Sequence, residues 1–183
     1  MPFPYNPLDI GGDQIRLLHL HPGRNSSFVT CSIEHHYLDD GPVYVALSYT
    51  WGNIDITKPM VISRHRAFVS SRDDPRLVQT IEVETQVEVT INLEAALRQL
   101  RASGYEKVWI DALCINQKDD TERREQVLKM NRIYKRAREV VVWLGPEGEN
   151  SDRAMTFIRS HEDPNFVEDL VRYPQADATL WFS

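Results

Sequence analysis

Short β-favouring runs and amphipathic helical stretches alternate along this chain. Residues 15–20 (IRLLHL) and 28–33 (FVTCSI) are joined by the turn-rich Pro22-Gly23-Arg24-Asn25-Ser26, which predicts an antiparallel hairpin. Residues 43–49 (VYVALSY) form a nearly continuous run between Gly41-Pro42 and Trp51-Gly52-Asn53, the pattern of a central strand covered on both faces. From Lys58 to Ile91 the pattern becomes short strands with charged interruptions, a β insertion. It includes Met60-Val61-Ile62, Ala67-Phe68-Val69 and the strictly alternating residues 82–89, with a loop tip at Arg72-Asp73-Asp74-Pro75. Asn92 then offers a helix N-cap, Leu93, Ala96, Leu97 and Leu100 share one helical face, and Gly104 can end the helix in the left-handed conformation.

Residues 108–112 (VWIDA) predict a second buried strand. The run Asp119-Asp120-Thr121-Glu122 reads as a capping box opening a helix to about Arg138, with Val127, Met130, Ile133, Tyr134 and Ala137 as its apolar stripe. A third buried strand is expected over residues 140–144, stopped by Gly145-Pro146. A last helix from Ser151 or Asp152 turns Ala154, Met155 and Ile158 inward, and residues 166–171 form a short amphipathic stretch. Strand, helix, strand, helix, strand, helix implies an α/β domain whose core strands form one parallel sheet with helices on both faces.

Composition narrows the class. With 183 residues, 42% hydrophobic and 26% charged, the chain has room for one sizeable core: a domain over residues 15–183 behind an N-terminal arm over residues 1–14. Twenty-one basic against twenty-seven acidic residues leave a net charge of −6, so nucleic-acid binding is not expected. The longest apolar run is far short of a bilayer span. Prolines and acids stand where a signal peptide would carry a basic end and an apolar stretch, so a cytoplasmic location is expected. Cys31 and Cys114, far apart in unlike contexts, read as reduced thiols.

In an open parallel sheet, ligands bind beyond the carboxyl ends of the strands, where the strand order reverses. There the chain places Ser48, Tyr49, Trp51 and Asn53 after one strand and Asp111, Asn116 and Gln117 after the next. Such a rim can hold a polar planar ligand: the indole stacks, the carboxylate accepts from hydroxyls, and the amides read donors and acceptors. The same residues also suit a structural role, with Asp111 capping a turn, the amides closing a loop and Trp51 filling the core. Cys114 has no histidine near it in sequence, and Leu113 and Ile115 favour its burial over nucleophilic use. His19, His21, His35, His36 and Cys31 lack metal-ligand spacing, so no metal is expected. The basic helix is interspersed with Glu122, Glu125 and Glu139, as in a solvated face. Neither a Gly-rich phosphate loop nor a nucleophile elbow is present.

Taken together, ALSYTWGN at residues 46–53, NLEAALRQLR at 92–101, VWIDALCINQKD at 108–119, ERREQVLKMNRIYKRAREVVVWLG at 122–145 and the opening IRLLHLHPG resemble the heterokaryon-incompatibility (HET) domain of filamentous fungi. The resemblance implies an intracellular module of programmed cell death, akin to innate immunity, acting by self-association or by binding other cell-death proteins. The HET fold is similar to the TIR domain, a flavodoxin-like α/β signalling fold. This implies a TIR-like sheet bearing the hairpin and the insertion.

Some TIR domains cleave the glycosidic bond of NAD with a glutamate; others only scaffold partners. The resemblance therefore also implies an alternative, a hydrolase of NAD or a related nucleotide, with NAD as substrate and no required cofactor. Asp111 or Glu125 is then the candidate to stabilise an oxocarbenium-like state, and Ser48, Tyr49, Trp51, Asn53, Asp111, Asn116 and Gln117 line the nucleotide. The family pattern continues past a Trp-Phe or Trp-Trp pair into a Gln-Glu run aligned with the catalytic helix. Here the chain stops at Trp181-Phe182-Ser183, so the resemblance implies a truncated domain that lacks the glutamate on which hydrolysis would depend.

Overall fold

The computed structural model describes residues 5–9, 11–23, 27–69 and 78–146. Its elements are β1 (Gln14–Leu20), β2 (Thr30–Tyr37), β3 (Val45–Tyr49), β4 (Thr57–Val69), β5 (Val78–Thr90), α1 (Ile91–Ala102), β6 (Lys107–Trp109), α2 (Asp111–Cys114), α3 (Asp120–Arg136) and β7 (Glu139–Trp143). The seven strands form one sheet in the order β5-β4-β2-β1-β6-β3-β7. These elements fall in a compact unit that ends at Gly145; the chain from Pro146 is a second unit. The expected loop tip at residues 72–75, part of the turn at 24–26, and the helical stretches at 151–158 and 166–171 lie outside the described residues, as do residues 181–183.

The expected parallel sheet is present as three strands, β6-β3-β7, with β3 between its two parallel neighbours. The whole sheet is mixed, which corrects the expectation of a parallel core with a separate hairpin. β1 pairs antiparallel with β2 along its full length, Gln14 opposite Tyr37 and Leu20 opposite Cys31, and also antiparallel with β6. The reason lies in β1 itself: Ile15, Leu17, Leu18 and Leu20 are all buried, so both faces of the strand are covered and it suits an interior position. β2 in turn runs parallel to β4, which fuses the insertion into the same sheet. That insertion is one long hairpin, β4 against β5 from Thr57 opposite Thr90 to Val69 opposite Val78, rather than several short strands.

Three further boundaries differ. The N-cap of α1 is Thr90, whose hydroxyl accepts from the Leu93 N–H at 3.3 Å; Asn92 lies in the first turn and bonds elsewhere. The expected strand at 108–112 stops at Trp109, because Asp111 opens the short helix α2 and its Oδ1 accepts from the next N–H, Ala112, at 2.7 Å. The strand expected to be buried at 140–144 has an exposed face: Val142 is 59% and Leu144 79% accessible. Among the described residues β7 is an edge strand, so only part of its surface reaches the core.

Other expectations hold. Gly104 takes φ +81° and ends α1, with its N–H donating to Arg101 O and that of Tyr105 to Leu100 O. Asp119 caps α3 through Oδ1, which accepts from Thr121 and Glu122 N–H. Ile133 is fully buried, and Met130, Tyr134 and Ala137 pack against the core.

Replacing Thr90 with alanine is expected to lower stability by about 1 kcal/mol, measured by urea denaturation, as for loss of an N-cap hydroxyl. An unchanged midpoint would mean that Thr90 does not hold the helix start.

Candidate functional site

Because β3, β6 and β7 run parallel, their carboxyl ends lie at one end of the sheet. The chain goes from β3 to β6 on one side and then to β7 on the other, so the strand order reverses between β3 and β7. That is where an open α/β sheet offers a crevice.

Here a side chain bridges the two strand ends. Asn92 donates through Nδ2 to Thr50 O at 2.6 Å and accepts at Oδ1 from Trp143 Nε1 at 2.9 Å. Gly52 takes φ +73° in the loop beside it, and a Cβ there would meet Asn92 Cβ at 3.4 Å. The left-handed turn lets the Trp51 loop fold back onto the start of α1.

Next to this bridge the structure joins part of the expected rim. Trp51, 40% accessible, donates from Nε1 to Asp111 Oδ2 at 3.4 Å. Gln117 Nε2 donates to the Asp111 carbonyl at 2.9 Å, and Arg123 donates to the Gln117 carbonyl at 3.3 Å. Burial pushes the Asp111 carboxyl above its ordinary range, opposed by the bonds from Ala112 and Trp51. Burial, followed by the nearby Asp111 carboxylate and Tyr134, raises the Tyr49 phenol well above its usual value. Both groups are therefore held toward their neutral forms.

Other expected members stay apart. The Asn53 side chain accepts from Asp55 N–H at 2.9 Å, an Asx turn within its own loop. Ser48 sits half-buried opposite Val142 and makes no side-chain hydrogen bond among the described residues. Asn116 Oδ1 accepts from Lys118 N–H at 3.2 Å. Glu125 is half-buried on α3 and makes no hydrogen bond or ion pair among the described residues, so nothing couples it to Asp111. Asn116 and Gln117 also line a cavity of about 480 Å³ that none of Ser48, Tyr49, Trp51, Asn53 or Asp111 enters.

Cys114 is buried and accepts from Ile110 N–H at 3.4 Å, and burial pushes its thiol up to about 12, unsuited to nucleophilic use. Among the histidines, His19 and His36 approach Glu34 at 3.4 and 3.0 Å, and Lys107 bonds the same carboxylate at 3.0 Å. No group of three or more ligating side chains suited to a metal occurs among the described residues.

Two features of this end were not anticipated. One is the Asn92 bridge to Trp143. The other is Arg16, fully buried in β1, whose guanidinium meets Glu122 at 2.5 and 2.9 Å and also donates to the carbonyls of Cys114 and Asn6. Tyr5 lies 4.8 Å from the Arg16 guanidinium carbon, ring centroid to carbon. Glu122 therefore does not close the expected capping box; its Oε1 takes Asn116 N–H at 2.7 Å instead. The pair ties β1 to the first turn of α3, and through Asn116 N–H to the connection between α2 and α3. A charge between Ile15 and Leu17 in the run IRLLHL was its one visible signal.

The Asp111 environment makes a pH-dependent prediction. Its folded carboxyl holds a proton more tightly than the unfolded one, whose ordinary value is 3.8. This group therefore costs stability above its folded value, and the cost fades as pH falls toward 3.8. Asp111→Asn is expected to be more stable than the parent near pH 7, with the difference shrinking at acidic pH. Urea denaturation of both proteins across pH checks it, and a difference that grows on acidification contradicts it.

Comparison with known proteins places this geometry in context. A family model described as heterokaryon incompatibility protein (HET) matches residues 44–179. The chain is similar to heterokaryon incompatibility protein 6, OR allele, of Neurospora crassa, with 36% identity over 152 residues, 77% of this chain and 20% of that protein. The chain thus spans about a fifth of the length of that curated relative. No solved structure matches it. The family match takes in the whole site from β3 to β7, Asn92 and Asp111 included, and on that breadth the chain belongs to the heterokaryon-incompatibility (HET) family.

Proposed function

We propose that this domain acts in fungal heterokaryon incompatibility as a signalling module, leading to programmed cell death through self-association or partner binding within the cell. Family membership and the named relative support the role in incompatibility. The preference for signalling over catalysis rests on one observation: the crevice where strand order reverses is bridged by Asn92, from Thr50 to Trp143. The polar groups beside it are engaged with one another and with backbone, and no second carboxylate joins Asp111 among the described residues. The order β6-β3-β7, second-first-third among the parallel strands, agrees with a flavodoxin-like, TIR-like core. No helix among the described residues is long and apolar enough to cross a membrane.

Light scattering across a concentration series tests this reading. The mean mass is expected to rise with concentration, or with addition of a cell-death partner. A constant monomer mass under both conditions removes it.

A second reading, hydrolysis of NAD or a related nucleotide, is favoured by the raised Asp111 carboxyl beside the half-exposed Trp51 indole. In that reading the indole stacks on a base and Asp111 positions the ribose hydroxyls. Incubation with NAD and measurement of released nicotinamide separates the two. Release that disappears in Asp111→Asn supports the hydrolase; no release by folded protein argues against it.

A further inference from the structure

The 480 Å³ cavity adjoins the Trp51–Asp111 pair through Ala112 and Gln117 but is lined by neither Trp51 nor Asp111. Its volume falls within the roughly 300–1,000 Å³ common for small-molecule sites. Ile62, Val87, Ala112 and Leu113 give it an apolar floor continuous with the core. Tyr5 forms an aromatic wall, its ring held by Arg16 and its phenol pushed up to about 12 by burial.

The polar groups are of three kinds. Asn116 and Gln117 each spend one amide atom inside the protein, Oδ1 and Nε2 respectively, which leaves Asn116 Nδ2 to donate and Gln117 Oε1 to accept. Glu88 comes from β5, and Lys118 from the connection between α2 and α3. Both are exposed, and neither forms an ion pair among the described residues, with the other or with anything else. The cavity therefore carries one carboxylate and one ammonium on different elements, with a free donor from Asn116, a free acceptor from Gln117, the exposed Gln86 amide from β5 and an apolar floor.

We propose that this cavity binds a small zwitterion with an apolar body, the chemistry of a hydrophobic dipeptide. The ligand ammonium goes to Glu88 and its carboxylate to Lys118, the central amide bonds Asn116 Nδ2 and Gln117 Oε1, and the side chains cover the floor. Each charged contact is a charge-assisted hydrogen bond, about twice as strong as a neutral one. Recognition of both ends also discriminates against any ligand carrying only one charge.

Isothermal titration tests this with three zwitterionic probes, leucyl-leucine, valyl-phenylalanine and alanyl-tyrosine, each also supplied N-acetylated and C-amidated. At least one free dipeptide is expected to bind saturably, with each capped form about tenfold weaker. Glu88→Gln should erase the difference between free and N-acetylated probe, and Lys118→Met that between free and C-amidated probe. Both side chains are exposed, so the variants should keep the parent melting temperature. The proposal is overturned if no zwitterion binds saturably up to millimolar concentration, if the capped forms bind equally well, or if both variants leave discrimination intact. Binding of adenosine monophosphate without binding of any dipeptide also overturns it.

Discussion

Arg16→Met should lower the unfolding free energy by about 3–5 kcal/mol, the range for removing one partner of a buried ion pair. The arginine is 0% accessible and the Glu122 side chain 10%, so the carboxylate left behind has little water to solvate it. Glu122 would retain the Asn116 N–H, and the carbonyls of Cys114 and Asn6 would each lose a donor. The double variant Arg16→Met, Glu122→Met removes both charges, and its loss should be well below the sum of the single losses. Urea denaturation followed by tryptophan fluorescence measures all three. A loss under about 1 kcal/mol for either single variant would mean that the pair is solvated and worth no more than a surface bridge.

The second large effect belongs to Trp109, the bulkiest of the fully buried side chains. Trp109→Ala should cost about 3–5 kcal/mol, combining lost transfer energy with the cavity left behind. Its ring meets Tyr134 edge to face at 5.4 Å, while its Nε1 has no hydrogen-bond partner among the described residues. Trp109→Phe keeps a ring in place and removes an unsatisfied donor, so its cost should be far smaller, about 1.5 kcal/mol or less. Equal losses for the two variants would show that the indole N–H carries a bond after all. Thermal unfolding of the pair provides an independent measure.

Local chemistry was readable from the chain where a feature depends on neighbours within a turn or two. The apolar face of α1, the Gly104 stop and the Asp119 cap are of this kind, and they appear as expected. What could not be read depends on distant partners. Nothing adjacent to Asn92 says that its amide will bond Trp143, 51 residues on, rather than cap its own helix while Thr90 does so. Nothing in a capping box says that Glu122 will be drawn away by an arginine 106 residues earlier. The second neighbour of β1 was missed for the same reason: apolar residues on both faces announce an interior strand without naming its partner.

The candidate site divides along the same line. Residue types pointed to the carboxyl ends of the parallel strands, and Trp51, Asp111 and Gln117 do meet there. Spacing could not say which side of α2 each loop residue serves, so Asn116 and Gln117 also line a separate cavity. Asn53 closes its own turn instead of joining the rim.

The placement of β1 between β2 and β6 has a consequence for how the chain acquires its structure. The β1–β2 and β4–β5 pairs join nearby segments and can zip locally, within microseconds for simple hairpins. The β1–β6 pairing must close a span from Leu18 to Val108 before the two halves of the sheet become one. Such non-local closures slow folding relative to local hairpin formation. An open β1 edge would be of the kind that pairs with other chains, and the β1–β6 pairing is what covers it in the folded domain.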